Sequence, residues 1–242
     1  SIQLVSGPMM TGSYHGESLG ACTDCRRFWS QYRAGEKSKS EIELIESRLA
    51  TTSGTCPVMG TASTMACISE TMGFTLPGTA AIPAVHADRL RASEATGIQA
   101  VKLANDGLTP DKLLTHESIE NAIRVLLAIG GSTNAVIHLI AIAGRVGKEV
   151  SLQTLNRLSD STPLLVNLKP SGEHYMEHFF AAGGMGAVLR ELKPLLHLNC
   201  RNIGGQTLEE RLKSEDTYVD HQVIRPLNDP VEKHGGLIAL FG

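Results

Sequence analysis

A cysteine in a glycine-containing loop is the residue of this sequence best suited to metal chemistry. Cys56 lies in the run SGTCPVMGTASTM at positions 53–65, with a glycine on either side. Glycine permits tight backbone conformations, so the loop can approach a bulky inorganic group closely. We expect Ser63 to cap a helix over 64–72, which would place the Cys56 thiolate near a helix N-terminus that favours negative charge. The alternative, a buried structural cysteine before a core helix, stays open.

Cys22 and Cys25 form a C-x-x-C pair, a spacing that suits zinc or a redox disulfide. The pair supplies half of a structural zinc site, and no second pair at a suitable spacing completes it. A thioredoxin-like role would need the pair at the start of a helix after a strand. We therefore expect a structural role for both cysteines rather than zinc binding or redox chemistry.

His174, Glu177 and His178 match the H-x-x-E-H pattern of inverted zinc peptidases. On a helix the two imidazoles would share one face and could grip a metal ion, with the glutamate as a base. No third ligand can be named from the sequence, and so short a pattern also arises by chance. We expect both histidines to be partly exposed side chains without a metal role.

These residues lie in a chain whose composition and apolar periodicity predict a helix-rich α/β fold. Residues 2–5 and 164–168 are strand candidates. The helix candidates are 24–34, 41–49, 64–72, 88–103, 118–129, 134–146, 174–180 and 185–192. In the helix at 88–103 the predicted inner positions are Leu90, Ala92, Ala95 and Ile98.

A glycine turn joins the two most apolar helices and carries three polar residues. Ser132, Thr133 and Asn134 follow Gly130 and Gly131. We expect Asn134 to cap the second helix, since asparagine is a common capping residue. Alternatively, the three residues aim polar groups into an active site, because glycine turns at helix N-termini can bind oxyanions.

Composition excludes several classes of protein. With 242 residues the chain is long enough for one large domain, and 42% hydrophobic residues, 24 glycines and 4% aromatics are typical of a globular α/β core with tight turns. A net charge of -3 supplies no basic surface for nucleic acid. No apolar run reaches the ~20 residues of a membrane-spanning helix. Five cysteines, an odd number, form no disulfide framework, so a reducing cytoplasmic setting is expected.

The ordered motifs of the chain resemble the dihydroxy-acid dehydratase and 6-phosphogluconate dehydratase family. The Cys56 run resembles the third cluster-binding cysteine motif of that family. The further matching segments are MACI at 65–68, LPGTAAIPA at 76–84, ENAIR at 120–124, IGGSTNA at 129–135, LVNLKPSG at 165–172 and AGG at 182–184. They cover nearly the whole chain in family order, which is more specific than any one short motif.

The resemblance implies an iron–sulfur enzyme that also uses Mg²⁺. Cys56 would be one of three cysteine ligands of the cluster, with Thr55 beside it, and Ser132, Thr133 and Asn134 would lie on the substrate side. A 2Fe–2S cluster is favoured, with 4Fe–4S as the alternative. The other two cysteines, the magnesium ligands and a catalytic serine are expected outside this chain, so no catalytic residue is assigned within it.

The resemblance also implies an internal fragment. Residues 1–220 are expected to belong to the helix-rich α/β iron–sulfur domain, which by resemblance is built around a mainly parallel sheet. Residues 221–242 are expected to be a linker and the first strand of a C-terminal β-barrel-like domain. Ser1 is not a methionine, and 235–242 ends as an apolar strand begins. We expect isolated residues 1–242 to bind no stable cluster and to be inactive.

The run GACTDCRR at 20–27 is most similar to the sugar-acid members, which dehydrate L-arabinonate or related pentonates. Dihydroxy-acid dehydratase of branched-chain amino-acid biosynthesis is the alternative substrate class. An alternative outside this reaction class is a non-catalytic packing module, or a C-x-x-C zinc or redox protein. The resemblance implies a small-molecule substrate, a homodimer or homotetramer, and a cytoplasmic location, with an organelle as the alternative if a transit peptide precedes the chain.

Overall fold

Helices make up most of the regular structure of this protein. The structure, a computed structural model, describes residues 1–20 and 23–242 in full and residues 21 and 22 by their backbone alone. The strands and α-helices are, in chain order, β1 Gly12–Tyr14, β2 Glu17–Leu19, α1 Ala21–Arg33, α2 Lys39–Glu46, α3 Thr61–Thr71, α4 Ala87–Asp106, α5 His116–Ala128, α6 Asn134–Arg145, α7 Leu152–Ser161, α8 Met176–Ala181, α9 Gly184–Glu191 and α10 Leu208–Ser214. Single turns of 3-10 helix lie at Pro110–Lys112 and Lys193–Leu195.

The helix-rich α/β class predicted from the sequence is confirmed, whereas the mainly parallel sheet is not found among the described residues. The sheet there is the antiparallel pair of β1 and β2. The strand expected at 164–168 makes only isolated bridges, of which Leu164 with Glu232 is antiparallel and Leu168 with His174 is parallel. The reason is that the backbone N–H groups of Leu165 and Val166 donate to the last carbonyl of α5 rather than to a neighbouring strand.

Among the side chains that the structure describes, three hydrophobic cores hold the elements together. The main core contains Phe179 and side chains from α3, α5, α8 and α9. A second core lies between α3, α5, α6 and α7, and includes Ile68, Leu126 and Leu139. A smaller satellite core joins the β1–β2 hairpin to α1 and α2 through Tyr14, Leu19, Phe28, Ile42 and Ile45. Burial of these apolar side chains is the main favourable term in folding.

Helix α3 begins earlier than the sequence predicts. Gly60 occupies the N-cap position, with extended backbone and no side-chain cap. Ser63, the expected cap, instead lies in the first turn, 3% exposed, and its hydroxyl finds no hydrogen-bond partner among the described residues. The backbone N–H of Thr64 donates to the Gly60 carbonyl at 2.9 Å, so the first turn closes before Ser63 can cap it.

Helix α4 is rotated relative to the predicted inner face. Leu90 is 75% exposed, Ile98 is 68% exposed and Ala95 is exposed as well, so the prediction for these three was wrong, and only Ala92 is buried as predicted. The buried positions of α4 are Arg89, Ala92, Thr96 and Leu103. The Arg89 guanidinium donates to the carbonyls of Thr79 and Ile82, which turns this side of the helix inward.

Residues 221–242 lie against the rest of the structure. Val223 and Ile224 belong to the main core. Further on, Asn156 on α7 exchanges two hydrogen bonds of 2.8 Å with the backbone of Ala239. The assignment of 221–242 to a separate C-terminal domain stays a prediction. Within the part of the chain described here, no helix combines the length and apolar character needed to span a membrane.

Candidate functional site

The Cys56 loop is held by backbone hydrogen bonds on both sides of the cysteine. Before it, the Thr55 N–H donates to the Gly7 carbonyl at 2.9 Å, and the Met9 N–H donates to the Thr55 carbonyl at 2.8 Å. After it, residues 57–59 bond to the segment at 169–176 through two further backbone bonds of 2.8 and 2.9 Å. The Cys56 side chain is partly buried. The loop therefore presents its thiol from a fixed backbone.

Gly54 is required where the loop approaches the N-terminal segment. Its φ is +133°, and a Cβ built there would lie 2.5 Å from the backbone nitrogen of Met9. Side chains are excluded by both the conformation and the contact. The tight loop expected around Cys56 is therefore present.

A polar cluster joins the N-termini of α3 and α6, directly after the loop. Thr61 and Ser132 share a hydrogen bond of 2.8 Å between their hydroxyl groups. The Asn134 side-chain amide donates to the Thr61 hydroxyl at 3.1 Å. Asn134 is the first residue of α6 rather than its cap, because Thr133 occupies the cap position without a side-chain bond.

The glycine turn allows this cluster to form. A Cβ on Gly131 would lie 2.7 Å from the Thr64 side chain. The close approach lets the Ser132 N–H donate to the Thr64 hydroxyl at 3.0 Å. Of the predicted substrate-side residues, Ser132 and Asn134 are thus brought together through α3, and Thr133 lies exposed beside them.

A cavity of about 340 Å³ borders the loop at Thr55. It is lined by the segment at 3–8, by Thr55 and by the buried face of α3 that carries Ser63 and Ser69. The lining is mostly apolar, with a few hydroxyl groups. Thr55 is therefore the residue of the loop that faces this space, while its own hydroxyl donates to the Gly7 carbonyl at 3.3 Å.

Among the other described cysteines, Cys67 differs from Cys56 in burial, whereas Cys25 and Cys200 are partly buried as Cys56 is. Cys67 is fully buried in the main core, and burial raises the pKa of its thiol far above the ordinary value. Burial, with a smaller contribution from Glu117, raises the pKa of Cys200 to about 11. Both are therefore poor sources of thiolate. Cys25 lies partly buried on α1, and the side chain of Cys22, the other half of the C-x-x-C pair, lies outside the described residues.

The residues at hand fit one ligand position of a metal cluster and do not complete a site. No group of three or more His, Cys, Asp or Glu side chains that could hold a metal ion occurs among residues 1–20 and 23–242. Cys56 fits a single thiolate ligand because its loop is partly exposed and precedes a helix N-terminus without a side-chain cap.

The H-x-x-E-H pattern has structural roles in the fold. His174 precedes α8, and its ring packs edge-on against that of His178, with the centroids 5.6 Å apart. His178 accepts a hydrogen bond from the Tyr175 N–H at 3.1 Å, which caps the start of α8. Glu177 accepts from both the hydroxyl and the N–H of Thr11. The His178 ring and the Glu177 carboxylate, two of the groups that a zinc peptidase would need, are thus engaged in hydrogen bonds within the fold.

Sequence reasoning missed a buried polar cluster behind the loop, formed by Asp24, Lys169 and Tyr175 and called the Asp24 cluster below. The Lys169 ammonium donates to the Tyr175 hydroxyl at 2.6 Å, and this hydroxyl donates to Asp24 at 2.7 Å. Burial opposes the charge of Asp24, but the Gly20 N–H, Tyr175 and Lys169 outweigh it and lower the pKa of Asp24. Burial and the neighbouring carboxylate raise the pKa of Tyr175. In the sequence, the polar types of these three residues are the only signal for the cluster, because their burial becomes visible only in the structure.

Comparison with known proteins gives one family. Residues 1–211 match the model described as dihydroxy-acid/6-phosphogluconate dehydratase N-terminal. The whole chain is 40% identical over 242 residues to the putative dehydratase IlvD1 of Rhizobium meliloti, covering 42% of that protein. It is 42% identical over 244 residues to the L-arabinonate dehydratase of Rhizobium leguminosarum bv. trifolii, again covering 42% of it.

A third relative carries the other substrate name. The chain is 38% identical over 244 residues to the dihydroxy-acid dehydratase of Caldicellulosiruptor bescii, covering 44% of that protein. The chain thus spans less than half the length of these curated relatives. Their names divide between a sugar acid and a dihydroxy acid, so the similarity leaves the substrate unresolved.

Proposed function

Because the chain belongs to the dihydroxy-acid/6-phosphogluconate dehydratase family, we propose that the full-length protein is a hydro-lyase that removes water from a 2,3-dihydroxy acid. The C2 proton and the C3 hydroxyl leave as water, and the resulting enol tautomerises to a 2-keto-3-deoxy acid. The family match over residues 1–211 is the observation that carries this proposal. L-Arabinonate is the favoured substrate on the GACTDCRR run, and the dihydroxy acid of branched-chain amino-acid biosynthesis is the alternative.

Cys56 is the residue of this chain that we assign to an iron–sulfur cluster, favoured as 2Fe–2S over 4Fe–4S. When bound, the cluster would supply a Lewis-acidic iron to the departing 3-hydroxyl. The protein's part is to hold the thiol on a loop fixed by backbone bonds at residues 55 and 57–59. Preorganisation of this kind orients a ligand without a conformational cost at binding. The ligands of Mg²⁺ are expected outside this chain.

The polar cluster at the start of α3 and α6 is proposed as the substrate-side surface. Ser132 and Asn134 are oriented by their hydrogen bonds to Thr61, and Thr133 is exposed beside them. Hydroxyl and amide groups of this kind suit a polyhydroxy acid, whose own hydroxyls donate and accept. Thr55 is assigned to the side of the iron–sulfur cluster, because it directly precedes Cys56 and lines the neighbouring cavity.

Replacement of Cys56 in the full-length protein tests the proposal. Cys56→Ser is expected to abolish the visible absorption of the cluster, to lower iron and sulfide content and to stop turnover of L-arabinonate and 2,3-dihydroxyisovalerate under anaerobic conditions. Cys200→Ser is the matched control, because this thiol is partly buried and has a raised pKa. An intact cluster and full turnover in Cys56→Ser would contradict the assignment. The preferred acid of the unmutated protein identifies the substrate.

Isolated residues 1–242 provide a second test. We expect this polypeptide to bind no stable cluster after anaerobic reconstitution and to show no dehydration, because the described residues offer no group of three ligands. Iron analysis and turnover assays measure both properties. Stable iron binding or dehydration by residues 1–242 would contradict the expectation that the remaining ligands lie elsewhere. A homodimer or homotetramer and a cytoplasmic location stay predictions for the full-length protein.

A further inference from the structure

The Asp24 cluster connects the satellite core to the Cys56 loop. Asp24 lies on α1 and is 2% exposed. Its carboxylate accepts from Gly20, Tyr175 and Lys169, and the Arg27 guanidinium lies 3.3 Å away on the same helix. Lys169 and Tyr175 come from the segment that carries the LVNLKPSG motif and the start of α8. Because Asp24 is so deeply buried, removing one of its partners leaves the remaining polar groups of the cluster poorly solvated.

The segment that carries Lys169 and Tyr175 also holds the backbone of the loop. Lys169 accepts a hydrogen bond from the Met59 N–H at 2.9 Å through its carbonyl, while its ammonium lies 3.4 Å from Asp24. The residue after Tyr175 donates its N–H to the Pro57 carbonyl at 2.8 Å. Asp24 is therefore connected to the loop by two short routes. One passes through Lys169 alone, and the other passes through Tyr175 and the residue after it.

Side-chain packing also connects the Asp24 cluster to the Cys56 loop. A Cβ built on Gly20 would lie 2.3 Å from the Tyr175 ring and 3.2 Å from the Pro57 side chain. The turn between β2 and α1 thus contacts the tyrosine of the cluster and the residue directly after Cys56 at once. Tyr175 is 2% exposed, so its ring has little freedom to adjust.

We propose that Lys169 and Tyr175 are positioning residues for the Cys56 thiol. They act through Asp24, through the bond of the Lys169 carbonyl to the Met59 N–H, and through the bond of the residue after Tyr175 to the Pro57 carbonyl. The inference rests on the proposed function, in which Cys56 is a cluster ligand. Some groups hold a metal ligand in place without binding the metal themselves. Losing such a group typically lowers metal affinity by about 10- to 100-fold. Loosening this cluster should therefore release the loop at Cys56 while leaving the hydrophobic cores in place.

The test uses the full-length protein and two conservative changes. Tyr175→Phe removes one hydroxyl and keeps the ring, and Lys169→Met removes the ammonium and keeps most of the side-chain volume. Lys169→Arg restores a positive charge and is the rescue variant. Tyr218→Phe is the matched control, because Tyr218 is 57% exposed and lies outside the cluster.

Two measurements separate positioning from the proposed function. The first is the alkylation rate of Cys56 in the metal-free protein, measured by mass spectrometry relative to Cys200. We expect a several-fold higher relative rate in Tyr175→Phe and Lys169→Met and a rate close to the parent's in Lys169→Arg and Tyr218→Phe. The second is iron retained against a chelator after reconstitution, expected to weaken by about tenfold or more in the first two variants.

Unchanged Cys56 alkylation and iron retention in Tyr175→Phe and Lys169→Met would overturn the inference. So would an equal loosening in Tyr218→Phe, or a change that parallels only a lowered unfolding temperature and is not rescued by Lys169→Arg. If the parent binds no iron, or if Cys56→Ser keeps its cluster, the proposed function fails separately. The alkylation rates still decide whether Asp24, Lys169 and Tyr175 position the thiol.

Discussion

At Gly54 the loop meets the N-terminal segment with no room for a side chain. Its φ of +133° is rarely adopted by other residues, and a Cβ would contact the backbone of Met9. We expect Gly54→Ala to lower the free energy of unfolding by about 1–3 kcal/mol, the typical cost of a residue held in a disfavoured conformation. Urea denaturation of the full-length protein measures the change.

Gly97 provides the matched control for Gly54. It lies on the exposed side of α4, and a Cβ there would have nothing within 4 Å. Because alanine is a better helix former, Gly97→Ala should raise the free energy of unfolding by up to about 1 kcal/mol. Equal effects of the two substitutions would mean that the Gly54 conformation is not required.

Asp24 makes the free energy of unfolding depend on pH under acidic conditions. Its folded pKa lies below the ordinary value of 3.8, so its charge stabilises the folded state above that value, and the contribution is lost as pH falls through the folded pKa. Asp24→Asn should therefore be less stable than the parent by a constant amount between neutral pH and roughly pH 5, with the gap narrowing at more acidic pH. Urea denaturation at each pH measures the gap. A gap that closes already above roughly pH 5 would contradict this account.

Among the elements, helices with a strong apolar face could be predicted from the sequence. The candidates at 118–129 and 134–146 correspond closely to α5 and α6, because local apolar periodicity and capping residues largely determine such helices. The inner face of α4 could not be predicted. It depends on carbonyls at Thr79 and Ile82 that draw Arg89 inward, and periodicity contains no information about such partners.

The two sides of α4 should respond differently to truncation. Leu103 is 6% exposed and packs in the second core, whereas Leu90 is 75% exposed. We expect Leu103→Ala to cost about 2–5 kcal/mol through lost burial and a cavity. Leu90→Ala, the matched control, should change stability by less than about 0.5 kcal/mol. Urea denaturation of both variants checks this, and a larger cost at Leu90 would show that its side is covered in the full-length protein.

Over the whole molecule, the candidate site combines one local pattern with contacts that are distant in sequence. The Cys56 loop was predicted because its cysteine and glycines are adjacent in the chain. Its supports, Gly7 on one side and Lys169 and Met176 on the other, are far from it in sequence. Such pairings depend on how the satellite and main cores pack, so residue type alone does not indicate them. This is also why the Asp24 cluster went unpredicted.

A buried ion pair between α3 and α10 links distant parts of the chain and gives the largest expected effect. Arg211 donates to Glu70 at 2.5 Å and to Glu215 at 2.6 Å, and the Arg211 and Glu70 side chains are 4% and 0% exposed. Glu70 also accepts from the Ala80 N–H at 2.7 Å, so its charge is fully desolvated yet bonded. Arg211→Met leaves that carboxylate buried without its cation, which typically costs about 3–5 kcal/mol.

The matched control for Arg211 lies two residues further along α10. Lys213 pairs with Glu209 at 2.8 Å, but the two side chains are 67% and 51% exposed. Water screens this pair, so Lys213→Met should leave the urea midpoint of the full-length protein nearly unchanged. Arg211→Met should shift the midpoint far more, because no solvent replaces the lost guanidinium. Equal midpoints for the two variants would mean that packing rather than this ion pair joins α10 to α3.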